Sequence, residues 1–482
     1  MNHGGKRQSP DKGPLLREAA LALARIGAFF LAFAFLDVAQ AQQRAATAIP
    51  MAYSVRVEPG PHETRLVFTL NSCVAAESYV LDRPARAIVD LPEVNFQIDP
   101  SAGLKPPQQG HARRKAHGRR VNPAPAPIEG LVASYRFGRL APGKSRIVID
   151  LSAPAEWRSA SCATNSAGLA ELVLALSPQA ETAFRTAARA GAEKQAADLP
   201  PATAPQPPIL GQNQILGQNQ PAPGLNQPIP DRNQKPIIVL DPGHGGVDNG
   251  ALGRDHVVEK LVVLEFAKAL AAKLRESGHY KVVLTREDDT FVPLGERVRM
   301  ARRLDAALFV SLHADSLAGG GDGVQGATVY TVSDRASDAE AARIAEHENS
   351  ADSNAGVEAK EDASDVNDIL FDLTRRETRA FSYVFAHSLA EYWKVAARLN
   401  KNPRRSAGFV VLKAPDVPSV LLELGYLSND SDAADLTSAD WRGKATTQVA
   451  RAIDAFFSTR SPEKSAAPAP DGALKATQST GN

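Results

Sequence analysis

Four residues have types that could carry out hydrolysis together: His244, Glu259, His313 and Glu423. His244 stands among glycines in PIIVLDPGHGG at 236–246, and His313 follows the apolar run FVSL. Glu423 ends PSVLLE, and Glu259 stands fifteen residues after His244. Two histidines and one carboxylate make a common open metal site, with a fourth position left for water. A divalent ion there polarises a carbonyl and makes water more acidic. Hydrolysis also needs a base for the water and an acid for the leaving amine. A second carboxylate within hydrogen-bond reach serves as both, and Glu423 is the candidate. Each residue alone has a plainer reading: a surface histidine, a strand-end histidine, a glutamate favoured by a helix N-terminus, or a glutamate paired with arginine. Their joint placement favours a site. Imidazole and carboxylate suit several divalent ions, so the residue types give metal-assisted amide hydrolysis without naming the metal.

The elements that must position them alternate. The pattern predicts a strand at 237–240, a helix at 258–276, a strand at 281–285 and a helix at 294–304. Strands at 306–312 and 327–332 follow, then a long helical stretch at 336–399 with a break around 354–365. Strands at 409–413 and 419–424 and a helix ending near 457 complete residues 236–458. In the first helix Leu261, Leu264, Ala267, Leu270 and Leu274 recur at helical spacing. Such alternation predicts an α/β domain with a mixed, mostly parallel sheet flanked by helices. Three of the four residues come at the carboxyl ends of strands, where ligands bind in open α/β sheets.

Residues 52–178 read differently. Short alternating runs at 53–57, 64–70, 87–91, 145–151 and 170–176 predict a small all-β sandwich, a binding module without catalytic spacing. Two of its segments, RAIVDLPE at Arg86 and SRIVIDLSAPAEW at Ser145, are alike, as if the domain had two related halves. Residues 105–127 are basic and proline-rich and read as a disordered insertion. Residues 179–235 read as a disordered linker that begins Ala-rich and carries ILGQNQ twice in tandem. The tail at 459–482 reads as disordered too.

Residues 1–41 have the pattern of a secretory signal peptide. Lys6, Arg7, Lys12 and Arg17 precede the apolar stretch IGAFFLAFAFL, and Ala39-Gln40-Ala41 fits the cleavage site. The stretch is short for a membrane span, so the mature protein is expected to be exported and not membrane-embedded. In an oxidising compartment Cys73 and Cys162 can pair. The formal net charge of +1 argues against nucleic acid as a main partner.

The second domain resembles the zinc-dependent N-acetylmuramoyl-L-alanine amidases of the type 3 family. The matching pieces, in order, are DPGHGG (241–246), the pair Glu259-Lys260, LTR with following acidic residues (284–289), SLHAD (311–315) and FVVLKAPDVPSVLLELGYLSN (409–429). The resemblance implies one Zn²⁺ on His244, Glu259 and His313, with Glu423 as acid and base. It implies peptidoglycan as substrate, cut between N-acetylmuramic acid and L-alanine, in the periplasm and at the division site. The first domain resembles the AMIN domain that often precedes such amidases, with RAIVDLPE the closest piece; the basic insertion departs from it. In some division amidases a helix covers the zinc and is moved by a protein activator. The Glu-Asn pair of such helices is similar to Glu348-Asn349 here, which implies Glu348 as an inhibitory metal contact within the 336–399 insert. Where relatives often have Ala-Asn, this chain has Ala301-Arg302. Two other readings stay open: a zinc peptidase acting on the crosslinks, and a catalytically silent wall-binding protein.

Overall fold

The computed structural model describes residues 49–103, 130–198, 235–253, 256–316, 324–358 and 369–459. The expected signal peptide, basic insertion, repeat-bearing linker and C-terminal tail lie outside the described residues.

The first domain packs two sheets. One is five-stranded, in the order β5-β1-β2-β9-β8 (β1 Met51–Pro59, β2 Thr64–Leu70, β5 Asn95–Phe96, β8 Ala155–Thr164, β9 Ala170–Pro178). The other is four-stranded, in the order β3-β4-β7-β6 (β3 Glu77–Asp82, β4 Ala85–Pro92, β6 Val132–Ala141, β7 Lys144–Leu151). Alternate residues make the core between them. Leu66, Phe68 and Leu70 of β2 and Leu172, Leu174 and Leu176 of β9 meet Ala87 and Val89 of β4 and Ile147 and Ile149 of β7. The two similar segments prove to be neighbours. They pair antiparallel as β4 and β7, with Ala87 opposite Ile149 and Ile88 opposite Val148. Ile88 and Val148 point to the other face of that sheet and are also buried. Cys73 and Cys162 are joined, with a Cα–Cα distance of 5.5 Å, tying the loop after β2 to β8.

Part of the expected linker is ordered. Residues Glu181–Asp198 form a helix, α1, and the linker can begin only after it. The Ala-rich start of the stretch is compatible with a fragment of helix, and Phe184 and Ala188 of that helix insert into the sandwich core.

In the second domain six strands stand in the order β11-β10-β12-β15-β13-β14. These are β10 Ile237–Pro242, β11 Lys281–Leu284, β12 Leu308–His313, β13 Ala327–Val332, β14 Leu399–Ala407 and β15 Ser419–Glu423. All neighbours run parallel except β13 and β15. The strands read as unbroken apolar runs because both faces are covered. Ile238, Leu240, Val310 and Leu422 face one layer, containing α2 (Glu259–Ser277), α6 (Ile369–Trp393) and α8 (Ala439–Ser458). Val239, Phe309 and Leu421 face the other, containing α3 (Leu294–Arg303) and α4 (Ala339–Asn349). The short α5 (Ala351–Asn354) continues α4, and α7 (Asp430–Thr437) precedes α8.

Two expectations are corrected here. Residues 409–413 are not a strand; Val410–Leu412 is a 3-10 turn packed on the α3–α4 side. A short apolar run alone does not distinguish these outcomes. The sixth strand is instead β14, LNKNPRRSA, at the sheet edge, where polar residues are tolerated and no apolar pattern announces it.

Candidate active site

β10 ends in Asp241-Pro242, and the chain turns sharply into the glycine loop. His244 has φ of 57°, an uncommon conformation for a non-glycine residue. It is held there through its backbone. Arg297 donates to the carbonyls of Pro242 and His244 at 3.0 and 2.8 Å, and Arg286 to those of Pro242 and Gly243 at 2.9 and 2.7 Å. Arg297 also pairs with the buried Asp241 at 2.8 Å, which accepts from Thr285 and Ser311 as well. Gly243 passes directly over His313: a Cβ there would lie 2.3 Å from the imidazole Cε1.

The side chains converge from four elements. Nε2 of His244 lies 3.2 Å from Glu259 Oε2 and 3.2 Å from Glu348 Oε2. Nδ1 of His313, at the end of β12, lies 3.3 Å from Glu259 Oε1 and 2.8 Å from Glu348 Oε2. One ligand atom from each of His244, Glu259, His313 and Glu348 falls within 4.8 Å of the others, and all four residues are buried. Glu259 is fixed by amides of Ala251 and Ala314, each 2.8 Å away. Nδ1 of His244 is 2.8 Å from Asp248 Oδ2, so Nε2 is the nitrogen turned to the cluster.

This donor set fits a divalent cation. Among the described residues His244 Nε2, His313 Nδ1 and Glu348 Oε2 are buried with no properly aligned hydrogen bond, although each faces another. The electrostatics agree. Burial lowers the pKa of His313, but Glu348 and Glu259 outweigh it and push it up to about 10. Burial likewise opposes charge on His244, yet Glu259, Asp248 and Glu348 hold its pKa well above the ordinary value. Carboxylates crowded around two imidazoles draw positive charge, and a divalent ion supplies it without a proton.

Glu423 stands beside His313, since the two are opposite each other in the parallel pairing of β12 and β15. One carboxylate oxygen accepts from the amide of Asp315 at 3.1 Å; the other, Oε1, has no hydrogen-bond partner among the described residues. Burial raises its pKa well above the ordinary carboxyl range, and the carboxylates of Glu348, Asp315 and Glu259 add to this against the pull of His313. A carboxyl whose pKa is raised in this way is a candidate for both donating and accepting a proton.

Glu348 reaches the cluster because it belongs to the buried stripe of α4. Ala341, Ile344, Ala345 and Glu348 lie on one face, and the apolar three pack on the sheet. A carboxylate on such a face is costly unless paired, and here the two histidines pair it. Asn349 pins the helix by donating to the Gly408 carbonyl at 2.9 Å and accepting from the Val410 amide at 2.8 Å. Asp338 caps the start of α4 by accepting from the Ala341 amide.

The structure thus brings His244, Glu259, His313, Glu348 and Glu423 together. Sequence reasoning missed three supporting residues: Asp248, Arg286 and Arg297. Asp248 had a signal, a carboxylate four residues after a glycine-flanked histidine. Arg286 stood in the LTR motif without a role assigned to it, and Arg297 had no signal, since most of its partners are backbone carbonyls. Arg302 lies on the surface, paired with the exposed Asp416 at 3.0 Å.

The chain is similar to known proteins. Residues 238–455 match the family model of N-acetylmuramoyl-L-alanine amidases. N-acetylmuramoyl-L-alanine amidase AmiC of Escherichia coli O6:H1 is 31% identical over 420 residues, covering 85% of this chain and 90% of that protein. AmiA of Escherichia coli K12 is 39% identical over 224 residues, covering 46% of this chain and 76% of that protein. Among solved structures, AmiC2 of Nostoc punctiforme aligns with a TM-score of 0.34 and 27% identity, covering 47% of this chain and 98% of that one. With residues 238–455 matching the family model and a relative matched along nearly its whole length, the chain belongs to the N-acetylmuramoyl-L-alanine amidase family.

Proposed function

We propose that this chain hydrolyses peptidoglycan at the amide between the lactyl group of N-acetylmuramic acid and the L-alanine of the stem peptide, splitting septal wall during daughter-cell separation. His244, Glu259 and His313 would hold one zinc ion. When bound, the ion supplies Lewis-acid polarisation of the scissile carbonyl and a more acidic water. Glu423 takes the proton of the attacking water and returns it to the leaving nitrogen. Asp248 keeps His244 in the tautomer that faces the ion, and the amides on Glu259 fix that carboxylate.

Glu348 would occupy the ion's fourth position and keep the enzyme silent until a protein activator lifts the helical insert. The reading places the mature protein in the periplasm, delivered by cleavage of residues 1–41 and enriched at the division site, with the AMIN-like domain as its targeting module. Among the described residues no helix is long and apolar enough to cross a membrane.

The observation that carries the proposal is the meeting of His244, Glu259 and His313 around one point, with Glu423 next to them in register. The test is digestion of purified sacculi by the mature protein and by its Glu348→Ala variant, with and without chelator. Release of free stem peptides and bare glycan is expected, chelator-sensitive and restored by zinc. New peptide termini on intact muropeptides would identify a crosslink peptidase instead. No chelator-sensitive release from either form would sink the enzymatic reading.

A further inference from the structure

The helix carrying Glu348 does not end in solvent. Its continuation, α5 and residues 355–358, crosses the outward face of the sheet β3-β4-β7-β6 in the first domain. The carbonyls at and just past the end of α5 meet three buried arginines from three different strands. Arg86 donates to Ser353, Arg136 to Asn354, and Arg146 to Ala355 and Gly356, the last two at 3.3 and 2.8 Å. Gln195 of α1 donates to the Gly356 carbonyl and accepts from the Glu358 amide at 2.8 Å.

The arginines are preset. Arg146 is gripped by Asp90 at 2.6 and 2.9 Å, and Arg136 by Asp150 at 2.7 and 3.1 Å. Between them lies an apolar seat. Ile88 and Val148, fully buried, join Ala355 and Val357 in one cluster with Val247 and Phe291 of the catalytic body. The seat is tight: a Cβ on Gly356 would come within 2.6 Å of Ile88 Cδ1. Arg86, Ile88 and Asp90 on β4, and Arg146, Val148 and Asp150 on β7, alternate onto this one face. The alternation that builds the sandwich core therefore also builds a receptor for residues 353–358. The same sheet grips the body directly, since Arg139 pairs with Asp288 at 2.8 Å and its carbonyl accepts from the Phe291 amide.

We infer that the N-terminal β-domain is a lock on the helix bearing Glu348: its outward sheet face binds residues 353–358, so that undocking of the domain and withdrawal of Glu348 are coupled. The inference rests on the reading of Glu348 as an inhibitory contact. Coupling of this kind is reciprocal. A wall ligand that binds the undocked domain favours the open site, and an activator that lifts the helix loosens the domain.

The test uses the full mature chain with its disulfide and two variants from opposite sides of the seat, Val357→Asp and Ile88→Ala. Amide hydrogen exchange is followed in α4, with β2 and β12 as internal references, and sacculus release is measured without activator. Val357→Asp is expected to speed exchange in α4 about 10-fold or more, Ile88→Ala less, with the references unchanged and basal release rising in step. In a Glu348→Ala background neither variant should add further release. Unchanged exchange in α4 in both variants overturns the lock, and so does equal acceleration in α4 and the references. If Glu348→Ala fails to raise release, the inhibitory reading falls, while exchange in α4 still decides whether the domain holds the helix.

Discussion

His313 and Glu423 lie opposite each other on adjacent parallel strands, the last residue of β12 against the last of β15. The sheet itself therefore sets the spacing between the His313 imidazole of the candidate metal site and the Glu423 carboxyl proposed to handle protons. Glu423→Gln keeps size and burial but cannot carry a proton. Sacculus release by this variant in the Glu348→Ala background should fall by roughly 100-fold or more. Bound zinc, measured on the same sample, should stay at the parental level; loss of zinc would instead make Glu423 a ligand.

Asp248 meets the far nitrogen of His244 with one oxygen and accepts from the Gly250 amide with the other. Asp248→Ala should weaken zinc binding by about 10–100-fold, the usual cost of losing a partner that orients a ligand. Competition with a graded chelator measures this directly, and an unchanged zinc affinity would remove Asp248 from the site.

Glu348→Ala removes the one donor that comes from the helical insert. Activity without activator should rise, and Glu348→Gln, which keeps a weaker carbonyl ligand, should fall between. Zinc content should be retained in both. Basal activity equal to the parent in both variants contradicts inhibition.

Arg297 and Asp241 form a buried pair, so removing one partner strands the other. Arg297→Met should destabilise the catalytic domain by about 3–5 kcal/mol. Urea unfolding of the parent and variant, both in a Trp157→Phe background, followed by tryptophan fluorescence reports it, since Trp393 lies in that domain's core and Trp441 packs against it. A shift well under this range would mean that Asp241 finds other donors.

Asp90 gives a pH signature for the first domain. Burial opposes its ionisation, but Arg146 and Lys144 outweigh that and hold its pKa below the ordinary 3.8. For a depressed carboxyl the stabilisation is complete above the unfolded value and is lost as pH falls through the folded one. The stability gap between parent and Asp90→Asn should therefore be constant above about pH 5 and close only below 3.8. Melting the two proteins side by side across this range checks it; a gap that closes near neutral pH would assign the effect elsewhere.

Much of the site was legible because its residues stand where strands end. DPGHGG, SLHAD and VLLELG each join an apolar run to a polar residue, and a parallel sheet collects such ends at one edge. The β-domain was legible as alternation, but half-legible as surface. Ile88 and Val148 looked like ordinary strand residues, and only the fold shows that they face another domain. Arg86, Arg136 and Arg146 could not be read at all. Arg146 and Arg136 also pair with Asp90 and Asp150, and Arg86 with Glu358, but the carbonyls of residues 353–356 to which they donate lie more than two hundred residues away, and a carbonyl leaves no letter in a sequence. β14 was lost for a similar reason, since an edge strand of Asn, Lys and Arg looks like a solvated loop.

Glu348 shares its helix face with Ala341, Ile344 and Ala345. The glutamate cannot withdraw far without bringing that oily strip into water, at about 25 cal/mol for each Å² uncovered. On the proposed reading of Glu348, an activator that lifts α4 would therefore be expected to cover Ile344 and its alanine neighbours with an apolar surface of its own.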